Sequence, residues 1–349
     1  MKNQFPFSLR LAGSLVSSLL IVYILYVLQD ILKPIAFSVL FTVMLYPLCL
    51  RLERWGVYRV LSIFICQIVL ITAIAALIYL VSAQIADFDE EIPKLTQKTA
   101  VWTGKLQTYI SDNFHLSKQN QLLESKKYLN DGIKNGASFF TNTLATTTST
   151  LTSVALVPLF VFFLLLYRDF FRAFIYQLFH VKHKRKVNEG IRRIYDVVQS
   201  YLVGLVLVIF TVGLLNSAGL LLLGIDYAIF FGFFAAFLLL IPYIGLLVGA
   251  ILPALMALIT KDSPIYALAV LGVFGIVQVL ESNFITPFIV GSKVSVNPLA
   301  AMITLILGGQ LWGVAGLILA LPVTAIVKVV FDLIDSLKPF GYLLGEAKE

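Results

Sequence analysis

LLIPYIGLLVGAILPALMALITKDSPIYALAVLGVFGIVQVLESNFITPFIVGSKVSVNP, residues 239–298, is the stretch whose reading decides the fold. It is apolar enough for a bilayer, yet Pro242, Gly245, Gly249, Pro253, Pro287, Gly291 and Pro298 interrupt it, with Gln278, Glu281 and Asn283 among the interruptions. Freed backbone groups and a carboxyl group are both costly in hydrocarbon, because lipid tails satisfy neither. A chain that only crosses a membrane has no use for them, so this region contacts something other than lipid.

Working outward, 59% of the 349 residues are hydrophobic and 13% charged, with a mean hydropathy of +0.93. Those values exclude an ordinary soluble domain and define an all-α integral membrane protein whose partner is the lipid bilayer. Residues 11–28 lie between Arg10 and Asp30 with no small-residue cleavage site, and a second apolar run follows at once, so they read as a retained span,. Further runs of the roughly 20 residues a bilayer requires fall at 32–50, 60–83, 149–167 and 197–223. Cys49 and Cys66 lie in two of these runs without metal-ligand or disulfide spacing and read as small buried apolar residues,.

The formal charge of +7 is distributed between the runs rather than along a nucleic-acid-binding face. Arg51, Arg54 and Arg59 crowd the link after the second run, and Arg168, Arg172, Lys182, Lys184, Arg185, Lys186, Arg192 and Arg193 follow the fourth. The positive-inside rule puts both links, and the N-terminus, in the cytoplasm. Residues 84–148, with seven lysines and no arginine against Asp87, Asp89, Glu90 and further acids, then fall outside. Ile92, Leu95, Trp102, Leu106 and Tyr109 recur near helical spacing there, which predicts a small external helical insert, either a cap or a gate,.

The expected organisation is three spans in 1–83, the insert in 84–148, a fourth span in 149–167, a basic cytoplasmic segment in 168–195, a core of broken helices in 196–335 and a cytoplasmic tail in 336–349. Residues 227–259 are too long for one straight crossing and divide at Pro242 into either one kinked span or two half-helices. Residues 264–289 and 299–331 supply one crossing each, giving about eight spans, some broken or re-entrant.

Glu281 is the leading functional candidate. A carboxyl group at the centre of a span costs roughly 2.5–3.5 kcal/mol on insertion scales, which leaves two readings: a polar centre for binding or proton coupling, or a solvated group near the interface. Gln278 lies at i−3, on the same helix face. Asn283 joins that face only if the helix unwinds before Pro287, as the steric bias on residue 286 favours. Gly204, Gly213 and Gly219 on the fifth run permit close helix packing, and Asp226 reads as the N-cap of the following helix. His180 and His183 have i, i+3 spacing, but surrounding cations and the lack of a nearby carboxylate point to a solvated segment rather than a metal site. The chain carries no zinc-protease, nucleophile-elbow or phosphate-loop motif,, so the sequence calls for neither an enzyme nor a cofactor.

The order Ile241-Pro242-Tyr243-Ile244-Gly245, Pro253, Gln278, Glu281, Asn283, Pro287, Gly291, Asn297-Pro298, Trp312-Gly313-Val314-Ala315-Gly316 and Leu321-Pro322-Val323 resembles the autoinducer-2 exporter family of bacterial transporters. The resemblance implies an eight-span transporter in the bacterial inner membrane, assembled as a homo-oligomer. It also implies export of a small polar solute such as a quorum-sensing signal, or exchange of sodium or lithium for protons. The pathway candidates are Pro242, Gly245, Gln278, Glu281, Asn283, Pro287 and Gly291. A third reading makes the chain a non-transporting scaffold that binds a partner through residues 84–148.

Overall fold

The computed structural model describes residues 6–76, 79, 151–178, 184–240, 244–291 and 296–346. Residues 84–148, Pro242, His180 and His183 lie outside them. Among the described residues the chain is helical and holds no strand. In chain order the helices are α1 (Phe7–Val27), α2 (Gln29–Arg54), α3 (Arg59–Ala76), α4 (Leu151–Leu166), α5 (Arg168–Leu178), α6 (Lys184–Leu222), α7 (Ala228–Leu238), α8 (Ile244–Thr260) and α9 (Ile265–Leu280). Two π-helical segments follow, Glu281–Ile285 and Pro287–Gly291, and then α10 (Pro298–Trp312), α11 (Val314–Leu333) and α12 (Lys338–Leu344). Five helices among the described residues are long and apolar enough to cross a membrane: Gln29–Arg54, Arg59–Ala76, Arg185–Leu222, Ile265–Ile289 and Val314–Leu333.

Contacts divide the chain into two compact units. The first comprises Met1–Leu70, Ser153–Val206 and Thr286–Glu349. In it α2, α3 and α4 bury Leu45, Ile63, Val161 and Leu165 together, with Cys49 and Cys66 in the same cluster. Both thiols are buried in that cluster, and Cys49 Sγ donates to Ser62 O at 4.0 Å. Packing thus brings together two cysteines whose 17-residue separation gave no sign of it, because helices α2 and α3 run back to back after the turn at Gly56, where φ is +90°. Polar side chains in these helices bond to carbonyls: Ser38 Oγ donates to Pro34 O and Val157 O, and Gln67 Nε2 donates to Pro158 O at 2.6 Å. Such bonds remove the desolvation penalty that polar groups otherwise carry in an apolar interior.

The two basic links meet. Arg168 forms a two-pronged ion pair with Glu53, its shorter contact 2.6 Å, and lies over the Tyr46 ring; Arg59 pairs with Asp169 at 2.7 Å. The end of α2 and the start of α5 therefore share one end of this unit, as the positive-inside reading requires of two links on one side. Lys186, at the start of α6, pairs with Asp335 beyond α11 at 3.1 Å. The basic segment read at 168–195 is itself structured: α5 presents Phe170, Phe171 and Phe174 to the exterior beside Arg168 and Arg172, and residues from Lys184 onward already belong to α6. With 39 residues at about 1.5 Å each, α6 is roughly 58 Å long, about twice a hydrocarbon core, so its charged first turns extend beyond the apolar part,.

The run 299–331, expected as one crossing, is instead two antiparallel helices. Gly313 takes φ +62°, a conformation that costs an L side chain but not glycine,, and reverses the chain between α10 and α11. The arms close on Gly308 and Gly316, each with its α-carbon against the other's carbonyl, so any β-carbon there would strike backbone. Asn297 starts α10: its Oδ1 accepts from Ala300 N at 2.8 Å, and Pro298 occupies the first helical position, where no amide hydrogen is needed,. Its Nδ2 donates to Leu343 O and Gly345 O, fastening α12 to the hairpin.

The second unit comprises Ile71–Thr152 and Leu207–Ile285. Residues 227–259 form a helical hairpin rather than one kinked span. Its first arm, α7, has 11 residues, about 16 Å and too short for a 30 Å core,. Gly249 packs on Ala235, whose Cβ would lie 2.6 Å from an added β-carbon, and Gly245 packs on the Leu238 carbonyl. Pro253 is fully buried within continuous α8 and does not break it. Two of the glycines assigned to packing do pack: Gly213 on the Phe233 ring and Gly219 on Val273. The Asp226 reading is overturned, because Tyr227, at φ +57°, holds the N-cap position of α7 without a side-chain capping bond. Leu220, Phe231, Ala257, Val270 and Phe274 form the core that joins α6, α7, α8 and α9.

Candidate functional site

The sequence places Gln278 and Glu281 one turn apart, and the structure joins them: Gln278 Nε2 donates to Glu281 Oε2 at 2.8 Å. Both side chains are half-buried. Glu281 stands where α9 widens into π geometry, which continues through Pro287 to Gly291. The expected unwinding before Pro287 does not occur. Proline lacks an amide hydrogen and crowds the carbonyl one α-turn back; the wider π-turn moves that carbonyl out of register and keeps the segment helical. Isolated π-turns within α-helices recur at functional sites.

Asn283 and Pro287 are exposed. Asn283 Nδ2 donates to Val279 O at 2.9 Å and to Ser282 Oγ, so its amide is spent on its own helix rather than shared through an unwound backbone. Ser282 Oγ likewise donates to Gln278 O. Gly291 closes the second π segment.

Gln278 has a second role that no local spacing announces. With Gly245 from the hairpin it lines a recess walled by Val212, Ala235 and Phe274, and among the described residues the other polar side chain there is Asn216 from α6. Asn216 is 3% exposed and its Oδ1 has no hydrogen-bond partner. The recess has room for roughly one water molecule,. Leu239, at the C-terminal end of α7, completes the rim. A polar track therefore runs Asn216, recess, Gln278, Glu281, and among the described residues its lining carries neither lysine nor arginine. Sequence reasoning weighed the glycines of α6 and passed over Asn216. Its one available signal was an uncharged polar residue amid an otherwise apolar span, a position normally reserved for packing or a pathway.

A helical membrane protein with broken apolar segments, a polar recess and a half-buried carboxyl group beside it has the makings of a multi-pass membrane transporter. The chain belongs to the AI-2E family of transporters, whose family model matches residues 15–336. It is 25% identical over 310 residues to YrrI of Bacillus subtilis (strain 168), named as a candidate transport protein, covering 87% of this chain and 86% of the relative. To YhhT of Escherichia coli (strain K12), similarly named, it is 25% identical over 331 residues, 91% of this chain and 89% of the relative. To the AI-2 transport protein TqsA of Escherichia coli (strain K12) it is 28% identical over 325 residues, 91% and 90% of the two chains.

Proposed function

We propose that the protein is a gradient-driven secondary transporter that exports a small polar solute, with Glu281 as the polar centre of its pathway. The carrying observation is the Gln278–Glu281 hydrogen bond, which links a carboxyl group to a recess at the hairpin that Gly245 closes. Protonation or solute binding at Glu281 would alter that bond and so reach the hairpin. The name of TqsA makes autoinducer-2 the first solute to test. In proteoliposomes Glu281→Gln is expected to lower flux at least about tenfold, equivalent to 1.4 kcal/mol, with an unchanged elution profile and thermal midpoint. Undiminished flux removes Glu281 from the mechanism.

A second reading, exchange of sodium or lithium for protons, is favoured by the size of the recess, which suits one ion or water and not a sugar-sized signal. A sodium-dependent collapse of a preset proton gradient, with no effect of autoinducer, selects it over the first. On either reading the chain sits in the bacterial inner membrane with eight inserted segments, six crossings by α1, α2, α3, α4, α6 and α9 and two re-entrant hairpins, α7 with α8 and α10 with α11, and both termini cytoplasmic. The Glu53–Arg168 and Lys186–Asp335 pairs support putting the basic links and the C-terminal turn on one side. Single cysteines introduced at 115, 183 and 261 are expected to label from outside, inside and outside, the last because a re-entrant α7–α8 hairpin returns the chain to the side that α6 reached. Homo-oligomeric assembly is part of this proposal and is tested by mass determination in detergent.

A further inference from the structure

An unpaired acceptor in an apolar interior is expensive, costing about 1–3 kcal/mol in protein mutational data, and native chains keep one mainly where a guest completes it. Asn216 Oδ1 is such an acceptor, inside a recess sized for one small guest. Three features define the guest. Gln278, which lines the recess, commits its amide nitrogen to Glu281 and keeps its oxygen as an acceptor,. Leu239 marks the C-terminal end of α7, where Ala236 O and Phe237 O accept from Leu239 N and Leu240 N and the helix end carries partial negative charge,. Among the described residues no cationic side chain lines the recess, and Glu281 stands one hydrogen bond away. Neutral oxygens suit a monovalent ion; a calcium ion requires six to eight oxygens with carboxylates among them, and the described lining residues supply no carboxylate.

We propose that Asn216, Gln278 and the C-terminal end of α7 form a binding subsite for one desolvated monovalent cation. Broken-helix carbonyls perform this role in other secondary transporters; the side-chain acceptor from α6 is what this chain adds. The site rests on the transport reading above and sharpens it: cation occupancy holds the hairpin to α6 and α9, and through Gln278 senses the state of Glu281. Gly245 is part of the device, because only a residue without a β-carbon lets the Leu238 carbonyl approach the second arm.

The test measures the thermal midpoint of the full-length detergent-purified protein in sodium, lithium or potassium chloride against choline chloride at equal ionic strength. Wild type is expected to gain stability with at least one of the three cations, with a saturable dependence. Asn216→Leu, of similar volume, should lose that response while matching or exceeding the wild-type midpoint in choline, since its unpaired acceptor is gone. Asn216→Asp should respond at a cation concentration at least about tenfold lower. A wild type indifferent to all three cations overturns the proposal, as does Asn216→Leu responding like wild type; either result makes the recess a water site or an empty one. Should Asn216→Leu fail to accumulate, an unchanged midpoint concentration in Asn216→Asp overturns it equally. The outcomes separate from those for Glu281: flux lost in Glu281→Gln with no Asn216-dependent cation response leaves a transporter without this subsite. An Asn216-dependent response with flux intact in Glu281→Gln leaves the subsite and removes Glu281.

Discussion

In the α7–α8 hairpin a first arm of 11 residues turns into a second of 17; in the α10–α11 hairpin the arms have 15 and 20. Both second arms carry a buried internal proline, Pro253 and Pro322, and both hairpins close on glycines that admit a backbone carbonyl. They differ in what becomes of the polar atoms nearby. In α10–α11, Thr304 Oγ1 donates to Ala300 O and Thr324 Oγ1 to Ala320 O, each at 2.7 Å, so the hydroxyls are spent on their own helices. Beside α7–α8, Asn216 Oδ1 has no partner and Gln278 reaches away to Glu281. One backbone device thus serves as a packed joint in one place and as the wall of a candidate site in the other, and the distinction lies in the side chains that neighbouring helices bring to it.

If α10–α11 is a joint, its damage appears as instability. Gly316→Val is expected to have the largest effect of these substitutions, about 3 kcal/mol, because the side chain must push apart backbones that touch,. Membrane yield and thermal midpoint should fall while flux per folded molecule holds; lost flux at full stability would make this hairpin a site as well. Gly245→Ala tests the opposite case. Its methyl group meets the Leu238 carbonyl at the recess, and a stability loss of about 1–2 kcal/mol should be accompanied by a disproportionate loss of flux. Equal losses in both measurements would erase the contrast.

Asn297→Ala removes the N-cap of α10 and the two bonds to α12. The expected cost is about 1 kcal/mol, seen as a lower midpoint without a change in transport. The smallest effect belongs to Asp335→Asn. Lys338 and Lys186 hold this exposed carboxyl below its ordinary pKa, so its contribution is present above the usual carboxylate range and fades as pH falls through the lowered value. The variant should match wild type in strong acid and differ slightly near neutrality; a large difference near neutrality would give this surface pair a role beyond the joint it borders.

Much of the frame was legible because hydropathy is a property of segments. The runs at 32–50, 60–83 and 149–167 coincide with α2, α3 and α4 to within several residues over the described residues, and the basic links that orient them meet as charge patterns implied. The Gln278–Glu281 pair was legible for a similar reason: i, i+3 spacing places two side chains together in any helix. Gly313 stands in the Trp312–Gly316 motif, yet its turn is not legible there, since an apolar run of that length fits one crossing or two packed arms, and only the positive φ and the Gly308–Gly316 contact choose. Asp226 misled because its residue type suits a cap that Tyr227 occupies.

The sequence by itself determined a membrane-embedded helical chain, its charge asymmetry and a polar helix turn at Gln278 and Glu281, all set by composition and short-range periodicity. The tertiary structure decided that two apolar runs fold back as hairpins, that Cys49 and Cys66 share one buried cluster, and that Asn216 stands at one recess with Gly245 and Gln278. These juxtapositions join residues tens of positions apart. They depend on which helix faces pack, and an apolar helix with little polar contrast around its circumference does not declare its packing face in advance.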